Sequence, residues 1–252
     1  MQMNSKLRND SERFYILLSG LFIAALVVCN LIANKFIEVD LGFRTFVISA
    51  GVLPYPITFL ITDLLSEIYG KKRTNRVVVS GFIASAFVLG VLWLGMQFDS
   101  IEGSPVSGCE YSKVFGNSWR VVMASMIAYL AAQLVDVKVY HFWKDLTKGK
   151  HLWLRNNGST IFSQLIDTSL VVGVLFIGAN TFGLETDTVV VIDECGQEIT
   201  DSSLPLATIG GYILDGWLFK SLCAFIDTPL IYLSTHWLRK HFGLKFGEEI
   251  PD

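Results

Sequence analysis

Charged side chains are scarce in this sequence, and that scarcity excludes several classes of protein. Asp, Glu, Lys and Arg make up 17% of the 252 residues, whereas about a quarter of a typical soluble domain is charged. Hydrophobic residues make up 52%, and the mean hydropathy is +0.48. The net charge of -3 argues against a basic nucleic-acid-binding surface. We therefore expect one integral membrane domain over residues 1–252, with no room for a soluble catalytic domain.

Common nucleotide-binding and hydrolytic motifs are missing as well. No Gly-x-x-x-x-Gly-Lys phosphate loop occurs, so any use of ATP would depend on a separate protein. The sequence has neither a His-Glu-x-x-His motif nor a Gly-x-Ser-x-Gly elbow. Its histidines, His141, His151, His236 and His241, all stand at the ends of apolar segments. The sequence therefore predicts no enzyme, no metal site and no cofactor.

Six apolar segments are each close to the ~20 residues needed to cross ~30 Å of hydrocarbon. They cover residues 14–33, 46–69, 77–98, 119–140, 160–182 and 206–238. The sequence therefore predicts an all-α integral membrane protein, a six-transmembrane-helix bundle. The last segment is too long for one straight span, and we expect Gly210-Gly211 and Pro229 to break it. Pro54 and Pro56 interrupt the second segment, either to free backbone groups for a ligand or as a packing kink.

Positive charge is distributed unevenly among the connections between the spans. One set of connections carries 14 basic residues. These are Lys6, Arg8, Arg13, Lys71, Lys72, Arg73, Arg76, Lys144, Lys148, Lys150, Arg155, Arg239, Lys240 and Lys245. The alternate set carries Lys35, Arg44, Lys113 and Arg120, while residues 183–205 hold six acidic residues and no basic one. Under the positive-inside rule we expect a multi-pass protein with both termini in the cytoplasm.

Only four cysteines are present. Cys29 and Cys223 lie inside predicted spans, where they are most simply small apolar residues. Cys109 and Cys195 lie in the two long outward loops, where an oxidising compartment permits a disulfide. Two free thiols are the alternative.

Charged residues interrupt the predicted spans, among them Asp63, Asp136, Asp167 and Lys220. A charge at mid-membrane costs on the order of 3 kcal/mol, so it persists where it lines a wet cavity or has a partner. We expect Lys220 to be the counter-ion of one or more of the aspartates. Such a pair is structural if it stays intact, and part of the mechanism if substrate releases it.

The fourth and fifth spans carry matched motifs, Gln133-Leu-Val-Asp136 and Gln164-Leu-Ile-Asp167. Each motif places an amide and a carboxylate on one helical face. Because the two spans run in opposite directions, helical rise puts both motifs and Asp63 in the inner half of the bundle. We therefore predict one polar layer at that depth. Polar contacts that only join the helices are the alternative.

Polar residues at the span ends are further candidates. Asn30, Asn34 and Lys35 close the first span at its outer end. Asn30 is deep enough to need a partner, while Lys35 can extend to the interface. Glu67, four residues after Asp63, shares its helical face, and we expect it near the cytoplasmic headgroups.

The run Pro56-Ile-Thr-Phe-Leu-Ile-Thr-Asp63-Leu-Leu-Ser-Glu67-Ile-Tyr-Gly70-Lys-Lys-Arg resembles the signature of the queuosine precursor transporter family, also called the vitamin uptake transporter family. Asn30-Leu-Ile-Ala-Asn34-Lys35, the two Gln-Leu-x-Asp motifs and Lys220…Asp227-Thr-Pro-Leu-Ile-Tyr are similar to other blocks of that family. The resemblance covers all six spans, while the outward loops 99–118 and 183–205 are longer than the family pattern.

The resemblance implies a bacterial inner-membrane carrier for 7-deazaguanines, namely 7-cyano-7-deazaguanine, its 7-aminomethyl analogue or queuine. The implied partners are this substrate and the lipid bilayer, with no nucleic acid, and the oligomeric state is left open. The family is also similar in helix count to the substrate-binding subunits of energy-coupling factor vitamin transporters. A binding module that needs a separate ATPase is therefore the alternative.

The chemistry of a deazaguanine suits the residues singled out above. Its adjacent N1–H and 2-amino donors match a carboxylate, and its 6-keto acceptor matches an amide or a lysine. The predicted substrate-binding residues are Asn30, Asn34, Asp63, Gln133, Asp136, Gln164, Asp167 and Lys220. Lys35 and Glu67 are secondary candidates. Phe59, Phe162 and Trp217 are candidate stacking partners, with lining of the bundle as the alternative. The 7-aminomethyl analogue is a cation, so a spare carboxylate favours it over the neutral nitrile.

Overall fold

The computed structural model describes residues 5–32, 35–42, 44–116, 119–148, 150–181, 189–192, 198–201, 206–245 and 248–250. Within these ranges the protein is mainly helical. The helices are α1 (Ser5–Leu31), α2 (Tyr55–Ile68), α3 (Gly70–Gly95), the single turn α4 (Gly108–Tyr111) with a π-helix at Ser112–Gly116, α5 (Trp119–Leu146), α6 (Leu152–Thr181) and α7 (Leu206–Phe242). Two antiparallel hairpins join β1 (Phe36–Asp40) to β2 (Thr45–Ser49) and β3 (Val189–Ile192) to β4 (Glu198–Asp201).

Helix α2 is the central element of the bundle. Three helical segments in the described part of the chain are long and apolar enough to cross a membrane: Lys6–Leu31, Ala50–Ile68 and Gly70–Gly95. In the segment that contains α2, 61% of the most apolar stretch is buried inside the protein, against 22% in each of the other two. Helix α2 packs against α1, α3, α5 and α7, while α6 packs against α5 and α7. Polar side chains on α2, α5, α6 and α7 are thereby brought together.

The predicted second span is wrong in its first part. The apolar run at its start forms β2, and a 3-10 turn follows at Ala50–Val52. A short run rich in Phe, Val and Ile is compatible with a strand as well as with a helix. Helix α2 starts at Tyr55, with Pro54 as its N-cap residue and Pro56 in its first turn, where a missing N–H costs nothing. The two prolines therefore begin the helix and do not interrupt it.

The predicted break of the last span is also wrong, because α7 is one helix of 37 residues that contains Pro229. The neighbouring Thr228 stabilises the helix at this point. Its hydroxyl donates to the Ala224 carbonyl at 3.0 Å and accepts from Asn157 Nδ2 of α6 at 2.8 Å. Local hydroxyl and side-chain contacts of this kind allow proline inside long membrane helices. At 1.5 Å per residue α7 is about 55 Å long, which is longer than the ~30 Å hydrocarbon core of a bilayer.

The other four predicted spans each correspond to a helix, with one systematic difference. Helices α1 and α3 begin earlier than predicted, α5 ends later and α6 begins earlier. Each extension lies at the end of the helix that carries the basic residues. The helices therefore continue beyond the apolar segments on that side, and they carry Lys144 and Arg155 into the folded bundle.

The β1–β2 hairpin packs against α7. Phe46 and Ile48 are buried against Phe219, with the two phenyl rings 5.7 Å apart. Arg44, beside β2, forms an ion pair with Asp215 of α7. The contact residue Phe219 directly precedes Lys220 in α7, so the hairpin lies close to Lys220.

Candidate functional site

Asp63 lies near the middle of α2 and is buried on every side. Its side chain is 1% exposed, and neither carboxylate oxygen has a hydrogen-bond partner among the described residues. Asp136 on α5 and Asp227 on α7 are close enough for their charges to act on it. Because buried polar groups are normally hydrogen-bonded, Asp63 keeps acceptor capacity that the described fold does not use.

The two Gln-Leu-x-Asp motifs face each other across the α5–α6 pair. Gln133, Asp136 and Gln164 are fully buried, and Asp167 is 1% exposed. Ser163, next to Gln164 on α6, donates its hydroxyl to Asp136 Oδ1 at 2.9 Å. The two motif faces therefore converge inside the bundle.

Lys220 on α7 forms the ion pair that its position predicted. Its Nζ lies 2.7 Å from Asp167 Oδ2, and both side chains are at most 10% exposed. The ammonium group also lies 4.4 Å from the centre of the Tyr55 ring. Mutual neutralisation lets the two charges remain buried, and Tyr55 adds a cation–π contact.

Several polar atoms of these motifs have no hydrogen-bond partner within the part of the chain that the structure describes. They are both amide atoms of Gln164, the amide oxygen of Gln133 and one carboxylate oxygen each of Asp136 and Asp167. Gln133 uses its amide nitrogen to donate to the Tyr129 hydroxyl at 3.0 Å. With Asp63, these side chains form what we call the polar layer: Asp63, Gln133, Asp136, Gln164 and Asp167. Its unused acceptors and donors make it able to receive a polar ligand.

A cleft between α2, α6 and α7 opens onto the polar layer. The space inside it is narrow, with room for about one water molecule. Its lining residues are Val52, Tyr55, Pro56, Phe59, Thr160, Gln164, Lys220, Cys223, Ala224 and Asp227. The rings of Tyr55 and Phe59, 5.9 Å apart, form an aromatic side. An apolar cleft with a few convergent polar groups is the usual form of a small-molecule site, and a flat heterocycle would enter this one only if the lining helices move apart.

The three aromatic candidates have different outcomes. Phe59 is buried and lines the cleft. Trp217 is half-buried, and its indole N–H donates to the Ile161 carbonyl at 3.1 Å, which ties α7 to α6. Phe162 is 52% exposed and is not among the residues that line the cleft, so its stacking role stays a prediction. It lies two residues before Gln164, and a rotation of about 200° puts it on the opposite side of α6.

Two of the candidates at the end of the first span, Asn30 and Lys35, do not join the polar layer. Asn30 donates to the Leu26 carbonyl at 3.2 Å and lines a separate, smaller cleft with Ser85 and Tyr129. Lys35 is exposed, and its extension to the interface stays a prediction. Asn34 lies outside the described residues. Cys195 does too, so its disulfide with Cys109 stays a prediction.

Glu67, which the sequence analysis expected near the cytoplasmic headgroups, lies inside the protein and not on its surface. Its side chain is fully buried, one helical turn beyond Asp63. Its Oε2 accepts from the Tyr140 hydroxyl at 2.9 Å and from Arg155 Nη2 at 2.8 Å, and its Oε1 accepts from Arg239 Nη2. Lys144 Nζ lies 3.8 Å from Oε2. The extensions of α5 and α6 and the continuous α7 supply these cations, which is why the apolar segments alone did not place them.

We call this group the Glu67 cluster: Glu67, Tyr140, Lys144, Arg155 and Arg239. A C-terminal segment closes over it. Lys144 Nζ bonds Glu249 at 2.8 Å, and the Ile250 backbone N–H donates to the Ile68 carbonyl at 2.7 Å. The side chain of Ile250 is buried in the apolar core. The cluster therefore joins α2, α5, α6, α7 and the segment after α7 at one end of the bundle.

Two cleft residues, Tyr55 and Asp227, were missed by the sequence analysis. Asp227 lies seven residues after Lys220, which places both on one face of a continuous helix. That spacing was a usable signal in the sequence. Within the described ranges, no group of three or more His, Cys, Asp or Glu side chains is arranged to hold a metal ion.

Comparison with known proteins gives a consistent result. The family model described as "Putative vitamin uptake transporter" matches residues 49–234. The chain is 33% identical to the "Probable queuosine precursor transporter" of Bacillus subtilis over 163 residues, which are 63% of this chain and 69% of that protein. It is 26% identical to the protein of the same name from Haemophilus influenzae over 189 residues, 70% and 76% of the two chains. It is 28% identical to the "Queuosine precursor transporter" of Escherichia coli over 128 residues, 51% and 53% of the two chains. No solved structure matches.

Proposed function

Because the chain belongs to the vitamin uptake transporter family, we propose that it is a secondary carrier for queuosine precursors in the bacterial inner membrane. Its substrates are 7-deazaguanines: 7-cyano-7-deazaguanine, 7-aminomethyl-7-deazaguanine or queuine. The names of the three relatives, which refer to queuosine precursor transport, support this substrate class. The matched residues 49–234 include the whole polar layer and the cleft, so the similarity extends over the candidate site.

The observation that carries the proposal is the polar layer beside an aromatic cleft. A deazaguanine has a flat ring, two adjacent N–H donors and one keto acceptor. Gln164 offers an amide oxygen and an amide nitrogen, and Lys220 offers a cation, all along the cleft. Asp63 offers two carboxylate oxygens one turn beyond Phe59. A carboxylate that accepts two N–H donors in parallel forms charge-assisted bonds, which are roughly twice as strong as neutral ones.

The proposed arrangement in the membrane is six spans with both termini in the cytoplasm. It is supported by the three apolar helical segments and by the alternation of basic residues along the chain. In this arrangement the Glu67 cluster lies at the cytoplasmic end and the β1–β2 hairpin at the outer end. The polar layer lies between them, at a depth where a carrier binds its substrate.

The experiment is an uptake assay in a bacterial host that cannot make queuosine precursors or import them, but can insert them into tRNA. Cells expressing the chain receive each of the three precursors at low concentration, and queuosine in tRNA is measured. We expect expression to restore queuosine with at least one precursor. The same assay is repeated with Gln164→Leu, which keeps the approximate size of the side chain but removes both unused amide atoms. We expect this variant to reach the membrane and to lose uptake. Absence of queuosine with every precursor, despite protein in the membrane, would refute the proposal.

The second candidate function is a substrate-binding module that depends on a separate energising ATPase. The description of the matching family model, which names vitamin uptake, is compatible with this alternative. The same assay in a host without any energy-coupling ATPase separates the two. Uptake that persists identifies a self-sufficient carrier, whereas uptake that is lost and then returns with the ATPase identifies a binding module.

A further inference from the structure

Helix α7 presents two charged residues of opposite sign to the cleft. Lys220 and Asp227 are separated by seven residues, so their Cα atoms lie about 10 Å apart along one helical face. Cys223 and Ala224 lie between them on the same face, and all four residues line the cleft. The cleft therefore has a cation near one end and a carboxylate near the other.

The two charges differ in how they are neutralised. Lys220 is paired with Asp167 at 2.7 Å. Asp227 is half-buried and, among the described residues, takes part in no ion pair. The end of the cleft at Asp227 is therefore negative, because Asp167 already balances the lysine.

Gln164, on α6, supplies the second polar group that points to a ligand here. It lines the same cleft, is fully buried, and both of its amide atoms lack partners in the described part of the chain. A side-chain amide can both donate to and accept from a neutral heterocycle, whose edge carries donors and acceptors. It does not distinguish a charged ligand from a neutral one. That distinction is left to Asp227.

We propose that Asp227 determines specificity: it selects 7-deazaguanines whose substituent at position 7 is an ammonium group over those with a neutral nitrile. This inference rests on the proposed function and names the preferred substrate of the same site. The 7-aminomethyl group donates charged hydrogen bonds to a carboxylate. A nitrile nitrogen is only an acceptor and is repelled by the carboxylate oxygens. The difference in affinity therefore contains an attractive and a repulsive part.

The test compares uptake of 7-aminomethyl-7-deazaguanine and 7-cyano-7-deazaguanine by the wild-type chain and by Asp227→Asn. A hydrogen bond to a charged group corresponds to about 10- to 100-fold in affinity. We expect Asp227→Asn to lower uptake of the aminomethyl compound by about tenfold or more, while uptake of the cyano compound stays the same or rises. Asp227→Glu, which keeps the charge, should retain the preference for the aminomethyl compound.

The control is Asp145→Asn, the same substitution at an exposed carboxylate of α5, which should change neither substrate. An equal loss of both substrates in Asp227→Asn, with normal protein in the membrane, would overturn the inference. In that case Asp227 would bind the ring edge that all deazaguanines share. Unchanged uptake of both compounds would overturn it as well. Failure of the wild-type chain to take up either compound would refute the proposed function itself, which is a distinct result.

Discussion

Two carboxylates of α2, Asp63 and Glu67, lie one helical turn apart, are equally buried and have opposite surroundings. Glu67 accepts hydrogen bonds from Tyr140 and from two arginines. Neither oxygen of Asp63 has a hydrogen-bond partner among the described residues. Burial alone therefore does not separate a structural carboxylate from a binding one. The number of partners does.

The surroundings of the two carboxylates differ in how many of the neighbouring polar groups are already hydrogen-bonded. At Glu67, side chains from three other helices are fixed around one charge, and the segment after α7 covers them. At Asp63, the neighbouring helices contribute polar groups that also have unused hydrogen-bonding atoms. The Glu67 cluster thus holds one end of the bundle together, and the polar layer has hydrogen-bonding atoms that the described part of the fold leaves unused.

Glu67→Gln should have the largest effect on stability. It removes the carboxylate that Arg155, Arg239 and Lys144 share, and breaking a buried ion pair costs about 3–5 kcal/mol. We expect loss of most folded protein, measured as the amount in the membrane and as thermal unfolding in detergent. The control is Glu12→Gln, whose carboxylate is 45% exposed and bonds Arg73 at 2.5 Å. An exposed pair is worth about 1 kcal/mol or less. If the Glu67→Gln protein is as stable as the wild type, Glu67 is not a structural carboxylate, and the contrast with Asp63 fails.

The Asp167–Lys220 pair sharpens the comparison, because it lies in the polar layer and yet is partnered. Asp167→Asn alone leaves Lys220 buried without its counter-ion, so we expect reduced stability together with lost uptake. The double change Asp167→Asn with Lys220→Met removes both charges. It should recover stability, as seen by thermal unfolding, without recovering uptake. If the double variant transports normally, the pair serves only to join the helices.

Gly70→Ala should have a smaller effect, and it measures how firmly the C-terminal segment covers the Glu67 cluster. Gly70 has φ +76°, and a Cβ there would collide with the Glu249 carboxylate. A left-handed residue other than glycine costs about 1–2 kcal/mol. Gly243→Ala is the matched control, because its φ is +66° and its surroundings are open. The Gly70 variant should lose more stability than the Gly243 variant. Equal losses would show that the contact with Glu249 contributes nothing.

Much of the polar layer was predictable from sequence. Asp63 and the two Gln-Leu-x-Asp motifs interrupt apolar runs, and a buried charge must find a polar setting. Helical spacing then predicted that the residues of each motif share one face. The opposite charges predicted that Lys220 pairs with an aspartate, and its partner is Asp167. The same spacing already excluded Phe162 from that face, two residues before Gln164.

The Glu67 cluster was not predictable by the same means. Hydropathy marks where a helix is apolar and not where it ends, so Arg155 was assigned to a loop although α6 includes it. The apolar start of the second segment was compatible with a strand, and the prolines that follow it begin α2. Such errors at helix ends affect the outer and inner parts of the bundle more than its middle. The middle was therefore predicted better than the ends.

The most direct test of the central claim is Asp63→Asn, measured for uptake and for thermal stability in the same preparation. Asn keeps the shape and one acceptor oxygen, and no described partner loses a charge. We expect deazaguanine uptake to fall by about tenfold or more, since a charge-assisted hydrogen bond is lost, while stability stays at or above that of the wild type. Wild-type uptake would contradict the account, because Asp63 would then have no part in binding. Loss of uptake together with loss of folded protein would contradict it too, because Asp63 would then be structural like Glu67.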